Sequence, residues 1–355
     1  RNRRLRTKVD AMKWLPRWRF KWGRPARPPV IVLGMLLAFL VVVTYVTPWP
    51  SAMVIRYVFE RGGAKTAEEM APHVPASGVS ARFDLGYGND GADTTLDVFT
   101  PDRGTGRLPT VVWIHGGAWI SGSKADVAPY LKILASHGYT VVGVNYSIAP
   151  GHRHPTAVHQ LNKALRYLRE HADALRADPD NVVLAGDSAG AQLASQLATL
   201  VTNADYARSL DIQPALEPKE LRGVVLNCGV YDLSTMRQTQ WLNAWGFNVA
   251  LWAYSGSREW ESTPTGDQMS VIEHVTAEFP PTYISGGNGD SLTPIQSVPF
   301  AARLRSLGVS VDALFWDADH EPALPHEYQF HLNRGEAGEA LTRTLSFLGA
   351  HMSDS

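Results

Sequence analysis

The chain has 355 residues, 45% of them hydrophobic, enough for one large α/β domain of about 250–300 residues plus further segments. A single cysteine, Cys228, excludes an intramolecular disulfide. The net charge of −1 hides a division: residues 1–27 carry eleven Lys and Arg against one Asp, a local charge of +10, so the remainder sums to −11. That asymmetry fits a basic arm at an anionic membrane surface joined to an acidic domain, with no nucleic acid expected as a partner.

In the basic cytoplasmic arm, residues 1–29, Trp14, Trp18 and Trp22 fall four apart, one stripe of an interfacial helix. Val30–Val46 contains no charge and, with Pro29 and Thr47, reaches the ~17–25 residues that span a bilayer. Tyr45 and Trp49 stand at one end, where interfacial anchors sit. A transmembrane signal anchor over 30–47 is expected in the cell membrane, with the arm cytoplasmic and the rest extracytoplasmic. A signal peptide cleaved near Pro50-Ser51-Ala52 and a buried core helix are the alternatives. Residues 48–80 read as a helical extension with Val54, Tyr57, Val58 and Met70 as its apolar face.

One large domain is expected over 81–355. Arg82–Tyr87 and Thr95–Phe99 flank Asn89-Asp90-Gly91, a hairpin signal. Strands are then predicted near 110–115, 140–146, 182–186, 223–230, 281–286 and 309–316. Helices are predicted near 125–137, 155–172, 189–202, 293–307 and 336–349. Repeated βα units of this length predict a mostly parallel central sheet with helices on both faces. Residues 233–270 interrupt the rhythm with Trp241, Trp245, Phe247, Trp252, Tyr254 and Trp260. These aromatics either line or cover an apolar pocket or pack against the N-terminal extension.

Two motifs carry chemistry. Gly186-Asp187-Ser188-Ala189-Gly190 follows the apolar run Val182–Ala185 and precedes a helical pattern. Strand, Gly-x-Ser-x-Gly and helix make a nucleophile elbow, with the serine exposed at a helix N-terminus. His115-Gly116-Gly117-Ala118-Trp119 follows the run Thr110–Ile114. Glycines after a strand can present bare N–H groups to the oxyanion formed when serine attacks a carbonyl. Gly116, Gly117 and Ala189 are assigned as those donors.

With these motifs the chain resembles the hormone-sensitive-lipase-like branch of α/β-hydrolase esterases, and bacterial carboxylesterases of the acetyl-esterase type. Asn145-Tyr146-Ser147-Ile148-Ala149-Pro150 looks like the family's Asp-Tyr-Arg-Leu-Ala-Pro segment, and His154-Pro155-Thr156-Ala157 like its Phe-Pro-Ala-Ala. Asn145 and Ser147 depart from the family's Asp and Arg, at positions that support the sheet edge. The resemblance runs from about Arg82 to the C-terminus and implies the α/β-hydrolase fold, with residues 233–270 contributing to a lid.

A triad acid should follow a later strand. Asp290 does so, in the Gly-rich loop after Pro281–Ser285, while Asp267 has no strand before it. Two histidines compete as base. His326, between Pro325 and Tyr328, fits the family's histidine followed two residues on by an aromatic; His320 does not. Choosing His326 makes Asp319–Leu324 a loop insertion. Ser188 is then the nucleophile, His326 the base and Asp290 the residue that orients it, acting on a small-molecule ester of short to medium acyl length. No cofactor or metal is expected: His152, His154 and His159 lack the fixed surroundings of a ligand set, and Cys228 reads as a small buried hydrophobe. Amide or carbamate hydrolysis, deacetylation of a glycan or antibiotic, and a non-catalytic binding role on the same scaffold are the rivals.

Overall fold

The computed structural model describes residues 28–238 and 241–352. The tryptophan stripe of the arm lies outside the described residues. The chain divides into two units, Arg1–Val46 and Thr47–Ser355. In the first, α1 runs over Pro28–Val46. No single helix among the described residues is long and apolar enough to cross a membrane.

The second unit opens with α2 (Trp49–Met70), followed by β1 (Val79–Gly86), β2 (Thr95–Pro101) and β3 (Leu108–Ile114). Next come α3 (Lys124–Ser136), β4 (Thr140–Val144), α4 (Thr156–Glu170), α5 (Ala172–Leu175) and β5 (Ala177–Asp187). The chain continues through α6 (Ala189–Thr202), α7 (Ala204–Ser209), β6 (Leu221–Asn227), α8 (Trp241–Ser255) and α9 (Pro264–Met269). It ends with β7 (Thr282–Gly286), α10 (Val298–Ser306), β8 (Val311–Phe315) and α11 (Gly335–Met352). The sheet order is β1-β2-β4-β3-β5-β6-β7-β8. β1–β2 and β2–β4 pair antiparallel; every other pair is parallel.

The central strands are apolar without interruption because both faces are covered. Alternate residues sort into two cores. Val112, Ile114, Leu184, Val224 and Ile284 face α4, α6 and α10; Val111, Trp113, Val183, Val225 and Tyr283 face α3 and α11. Asn145 and Ser147 do support the sheet edge, by other contacts than a salt bridge. Asn145 Oδ1 accepts the Lys124 N–H at 2.8 Å, and the Ser147 hydroxyl donates to Asp93 Oδ2 at 2.9 Å.

The extension departs from its expected orientation. Val54, Tyr57 and Val58 are exposed, and Ala52, Ile55 and Met70 are the buried residues of α2. Arg56 decides the rotation: its guanidinium donates to the carbonyls of Ile120 at 2.6 Å and Ala149 at 2.7 Å. Segment 233–270 is largely helical. Tyr254 and Trp260 belong to the main core, while Phe247 reaches the cavity described below. The side chain of Trp241 lies outside the described residues.

Candidate active site

The glycines of the serine motif are dictated by contact. A Cβ on Gly190 would lie 2.0 Å from the Ile114 carbonyl oxygen, so α6 can approach β3 this closely only with glycine there. Ser188 sits between β5 and α6 at φ 51, ψ −118, a strained conformation for a residue with a side chain. Its N–H donates to the Asn227 carbonyl at 2.8 Å, which pins the turn to β6.

The structure brings Ser188, His326 and Asp290 into one chain of hydrogen bonds. Ser188 Oγ lies 2.9 Å from His326 Nε2, and His326 Nδ1 lies 2.7 Å from Asp290 Oδ2. Asp290 follows β7 and turns back on itself, its Oδ1 accepting the Leu292 N–H at 2.9 Å. Burial pushes this carboxyl upward, but His326 and the Leu292 N–H outweigh burial and hold it below the usual Asp range. Burial also opposes a charge on His326. The charge and hydrogen bond of Asp290, with the charge of Glu327 behind them, overcome that and lift the imidazole to about 9.

Asn288, not singled out in the sequence, sets the histidine loop. Its amide donates to the His320 carbonyl at 2.8 Å and its Oδ1 accepts the Leu324 N–H at 2.9 Å, so both ends of the 320–324 segment hang from one side chain. His320 itself points elsewhere: Nε2 lies 3.0 Å from Glu336 Oε1 and the ring packs on Trp316. Asp267, the rival acid, lies 3.6 Å from His274.

The oxyanion donors need one correction. The Gly116 N–H donates to Asp187 Oδ2 at 2.8 Å and is therefore not free to face a substrate. The turn begins one residue later: Gly117 has φ +111, with only 2.2 Å between the place of a Cβ and the Ser121 carbonyl oxygen, and Ala118 and Trp119 are also left-handed. Among the described residues, the N–H groups of Gly117, Ala118 and Ala189 have no protein acceptor. Ala118, and not Gly116, thus offers an unpaired N–H beside that of Gly117. The loop is buttressed from three sides: Arg56 on Ile120, the Tyr146 hydroxyl donating to the His115 carbonyl at 2.9 Å, and Trp119 Nε1 donating to Gln192 Oε1 at 3.1 Å.

Ser188, His326, Gly117 and Ala118 line a cavity of about 360 Å³. An apolar pocket of about 220 Å³ adjoins it, sharing Val58 and Phe59 of α2, Ala118 and Phe247 of α8. A larger hollow of about 520 Å³, lined by His159, Lys163 and Arg166 among others, contains none of these groups.

Two groupings bear on metals. Cys228, Asp290 and His326 offer ligand atoms within 4.8 Å of one another. The imidazole and carboxylate are already bonded to each other, and burial holds the Cys228 thiol far above its ordinary range, which suits a metal poorly. Cys228 is more than a packing residue, since its Sγ accepts the Glu327 N–H at 3.3 Å. His154 is a core side chain: burial, then the charge of His159, lowers it to about 4, and Gln196 Nε2 donates to its Nε2 at 2.9 Å.

Residues 96–304 match the BD-FAE family. Esterase LipQ of Mycobacterium tuberculosis is 30% identical over 67% of this chain and 57% of its own length. The probable carboxylic ester hydrolase LipM of the same organism is 29% identical over 63% and 52%. The chain thus spans about half the length of these curated relatives. Among solved structures, esterase B of Lactobacillus rhamnosis superposes with a TM-score of 0.74 at 23% identity, covering 85% of this chain and 96% of that one. An esterase of Pyrobaculum calidifontis gives 0.66 at 20%, covering 86% and 95%. At these identities the likeness shows a shared fold, that of the α/β hydrolases.

Proposed function

Because the chain belongs to the BD-FAE family, we propose that it is a serine carboxylesterase in which Ser188 attacks the ester carbonyl. One observation carries this reading: the unbroken Ser188–His326–Asp290 hydrogen-bond chain opens onto a cavity edged by unpaired N–H groups. His326 takes the serine proton at Nε2 and returns it to the leaving alcohol. Asp290 holds the Nδ1–H tautomer and stabilises the imidazolium. Gly117, Ala118 and Ala189 receive the oxyanion, an interaction for which each donor contributes about 3 kcal/mol in other hydrolases. Water then repeats the sequence on the acyl-enzyme.

The adjoining apolar pocket supports an acyl chain of short to medium length, lying between α2 and α8. A membrane anchor is the second part of the reading. Its support is the uncharged stretch Val30–Val46 and the +10 arm before it. The arm is then cytoplasmic and the hydrolase extracytoplasmic. The deciding experiment is fluorophosphonate labelling of the wild-type chain and of Ser188→Ala, followed by a series of nitrophenyl esters of rising acyl length. Labelling of the Ala variant at the wild-type rate overturns the assignment.

A further inference from the structure

Two carboxyl groups converge beside His326, and the mechanism above has no step for either. Asp187, at the end of β5, is 3% exposed and accepts Trp113 Nε1 at 2.7 Å and the Gly116 N–H at 2.8 Å. Glu327 arrives from the opposite side, on the turn after His326. Its backbone is left-handed, φ 59 and ψ 31, with its N–H bonded to Cys228 Sγ. Its side chain lines the cavity of Ser188. A Cβ placed on Gly116 would lie 2.3 Å from Asp187 Oδ2 and 2.9 Å from Glu327 Oε1, so the two carboxyls close over the same carbon. Both oxygens lie within 3 Å of that one position, 2.3 and 2.9 Å from it, which leaves no room for a third group between the carboxyls. Two carboxylates are both acceptors only, so carboxyls held this close can bond to each other only through a proton between them. Glu327 Oε1 is also 3.8 Å from His326 Nε2, the nitrogen that holds Ser188.

We infer that Asp187 and Glu327 share one proton and present a single negative charge to the Nε2 edge of His326, and that this pair sets the pH at which the histidine becomes a base. The inference rests on Ser188 and His326 being nucleophile and base. Asp187 keeps the proton. Burial raises it first, and the charge and hydrogen bond of Glu327 add to that, against the donors Trp113 and Gly116. Glu327, with 32% of its side chain exposed, holds the charge. When Ser188 gives its proton to Nε2, the imidazolium has Asp290 at one nitrogen and Glu327 near the other. A second full charge would hold His326 protonated at rest and oppose the oxyanion. Sharing the proton removes that charge while leaving one to stabilise the imidazolium. Glu327 is thus a positioning residue that acts through His326.

Other titratable groups face this cluster from each neighbouring element. They are Asp290 after β7, Cys228 after β6, His115 after β3, Asp126 of α3, and Glu60 of α2 acting on Asp126. Burial keeps His115 neutral, at about 4, and Cys228 a thiol. Burial likewise raises Asp126.

The test is the pH dependence of fluorophosphonate labelling in the full chain, compared for wild type, Asp187→Asn, and Asp187→Asn with Glu327→Gln. The single substitution keeps one charge and an N–H donor in place of the shared proton, so the acid limb stays at the wild-type pH whatever the plateau rate. The double substitution removes the last charge, and the limb moves to lower pH by at least about half a unit. A limb that moves down already in Asp187→Asn shows two charges in the wild type and overturns the inference. A double variant whose limb does not move overturns it as well, because the pair then does not act on His326. Wild type that is unlabelled at every pH overturns the nucleophile assignment instead, a different failure. Should the variants not fold, the wild-type chain decides: the infrared carbonyl band of an un-ionised carboxyl must persist at neutral pH, and its absence removes the shared proton.

Discussion

The N–H of Gly116 donates to the carboxylate of Asp187 at 2.8 Å, so the glycine motif after β3 and the serine motif after β5 are stitched together by one buried bond. That bond fixes where the oxyanion loop begins to turn. The unpaired N–H groups are those of Gly117, Ala118 and Ala189 because the first N–H of the loop is already engaged. Gly117→Ala should therefore be severe. Its Cβ would lie 2.2 Å from the Ser121 carbonyl oxygen at a backbone φ of +111. We expect kcat to fall about 100-fold or more, as for loss of an oxyanion donor, with KM changed much less. A kcat within threefold of wild type, measured on a nitrophenyl butyrate, would sink the donor assignment.

The two histidines should separate cleanly. His326→Ala removes the group 2.9 Å from Ser188 Oγ and should cost about 1000-fold or more in kcat. His320→Ala breaks only the 3.0 Å contact to Glu336 and the packing on Trp316, so activity should stay within about tenfold. Equal losses in the two variants would mean that the 320–324 segment rearranges and that the Asn288 brace does not hold it.

Esterase activity should rise with pH over an unusually alkaline range. A base must be neutral to accept the serine proton. Burial of His326 disfavours its cation, yet the charge and hydrogen bond of Asp290, with the charge of Glu327, raise it from 6.5 to about 9. The fraction of working enzyme is then small below that value and grows as pH increases through it. The acid limb of kcat/KM should lie above the ordinary histidine range. Asp290→Asn should lower the plateau steeply and shift the limb toward lower pH, since the carboxylate is the main cause of the rise. A wild-type limb at or below 6.5 contradicts this.

Much of this site is readable in the chain because its parts are local. The parallel strands are continuous apolar runs, and Gly186–Gly190 and His115–Trp119 each stand where such a run ends. Asp290 is readable from its place after β7, and His326 from the residues around it. What the sequence could not supply is direction. Whether the N–H of Gly116 faces substrate or Asp187 depends on β3 and β5 lying side by side. The burial of α2 differs for the same reason: Val54 and Val58 are apolar, but Arg56, reaching two loop carbonyls, turns the helix so that they line the open pocket and not the core. The meeting of Glu327 with Asp187 joins residues 140 positions apart and leaves no local pattern.

Topology can be tested without reference to activity. The +10 arm beside an uncharged helix predicts that a reporter fused after Ser355 reads out as extracytoplasmic and that the full chain resists carbonate extraction. Release of the full chain by carbonate would show that α1 does not anchor it.

Acyl-chain length should be controlled from α2 and α8. The cavity at Ser188 and the apolar pocket beside it meet at Val58, Phe59, Ala118 and Phe247, so a chain leaving the carbonyl has one apolar continuation between these helices. Its volume, about 220 Å³, accommodates a few methylenes and not a long fatty acyl chain. Each methylene buried there contributes about 0.8 kcal/mol, so kcat/KM should rise roughly threefold to fourfold per CH₂ until the pocket is full and then stop rising. Val58→Trp fills the junction from a residue that is 58% exposed and outside the main core. It should lower kcat/KM for hexanoate esters by about tenfold or more while leaving acetate esters within about twofold, a contrast that loss of folding cannot produce. Equal losses on acetate and hexanoate would place the acyl chain elsewhere, and the pocket between α2 and α8 would then have no part in choosing the substrate.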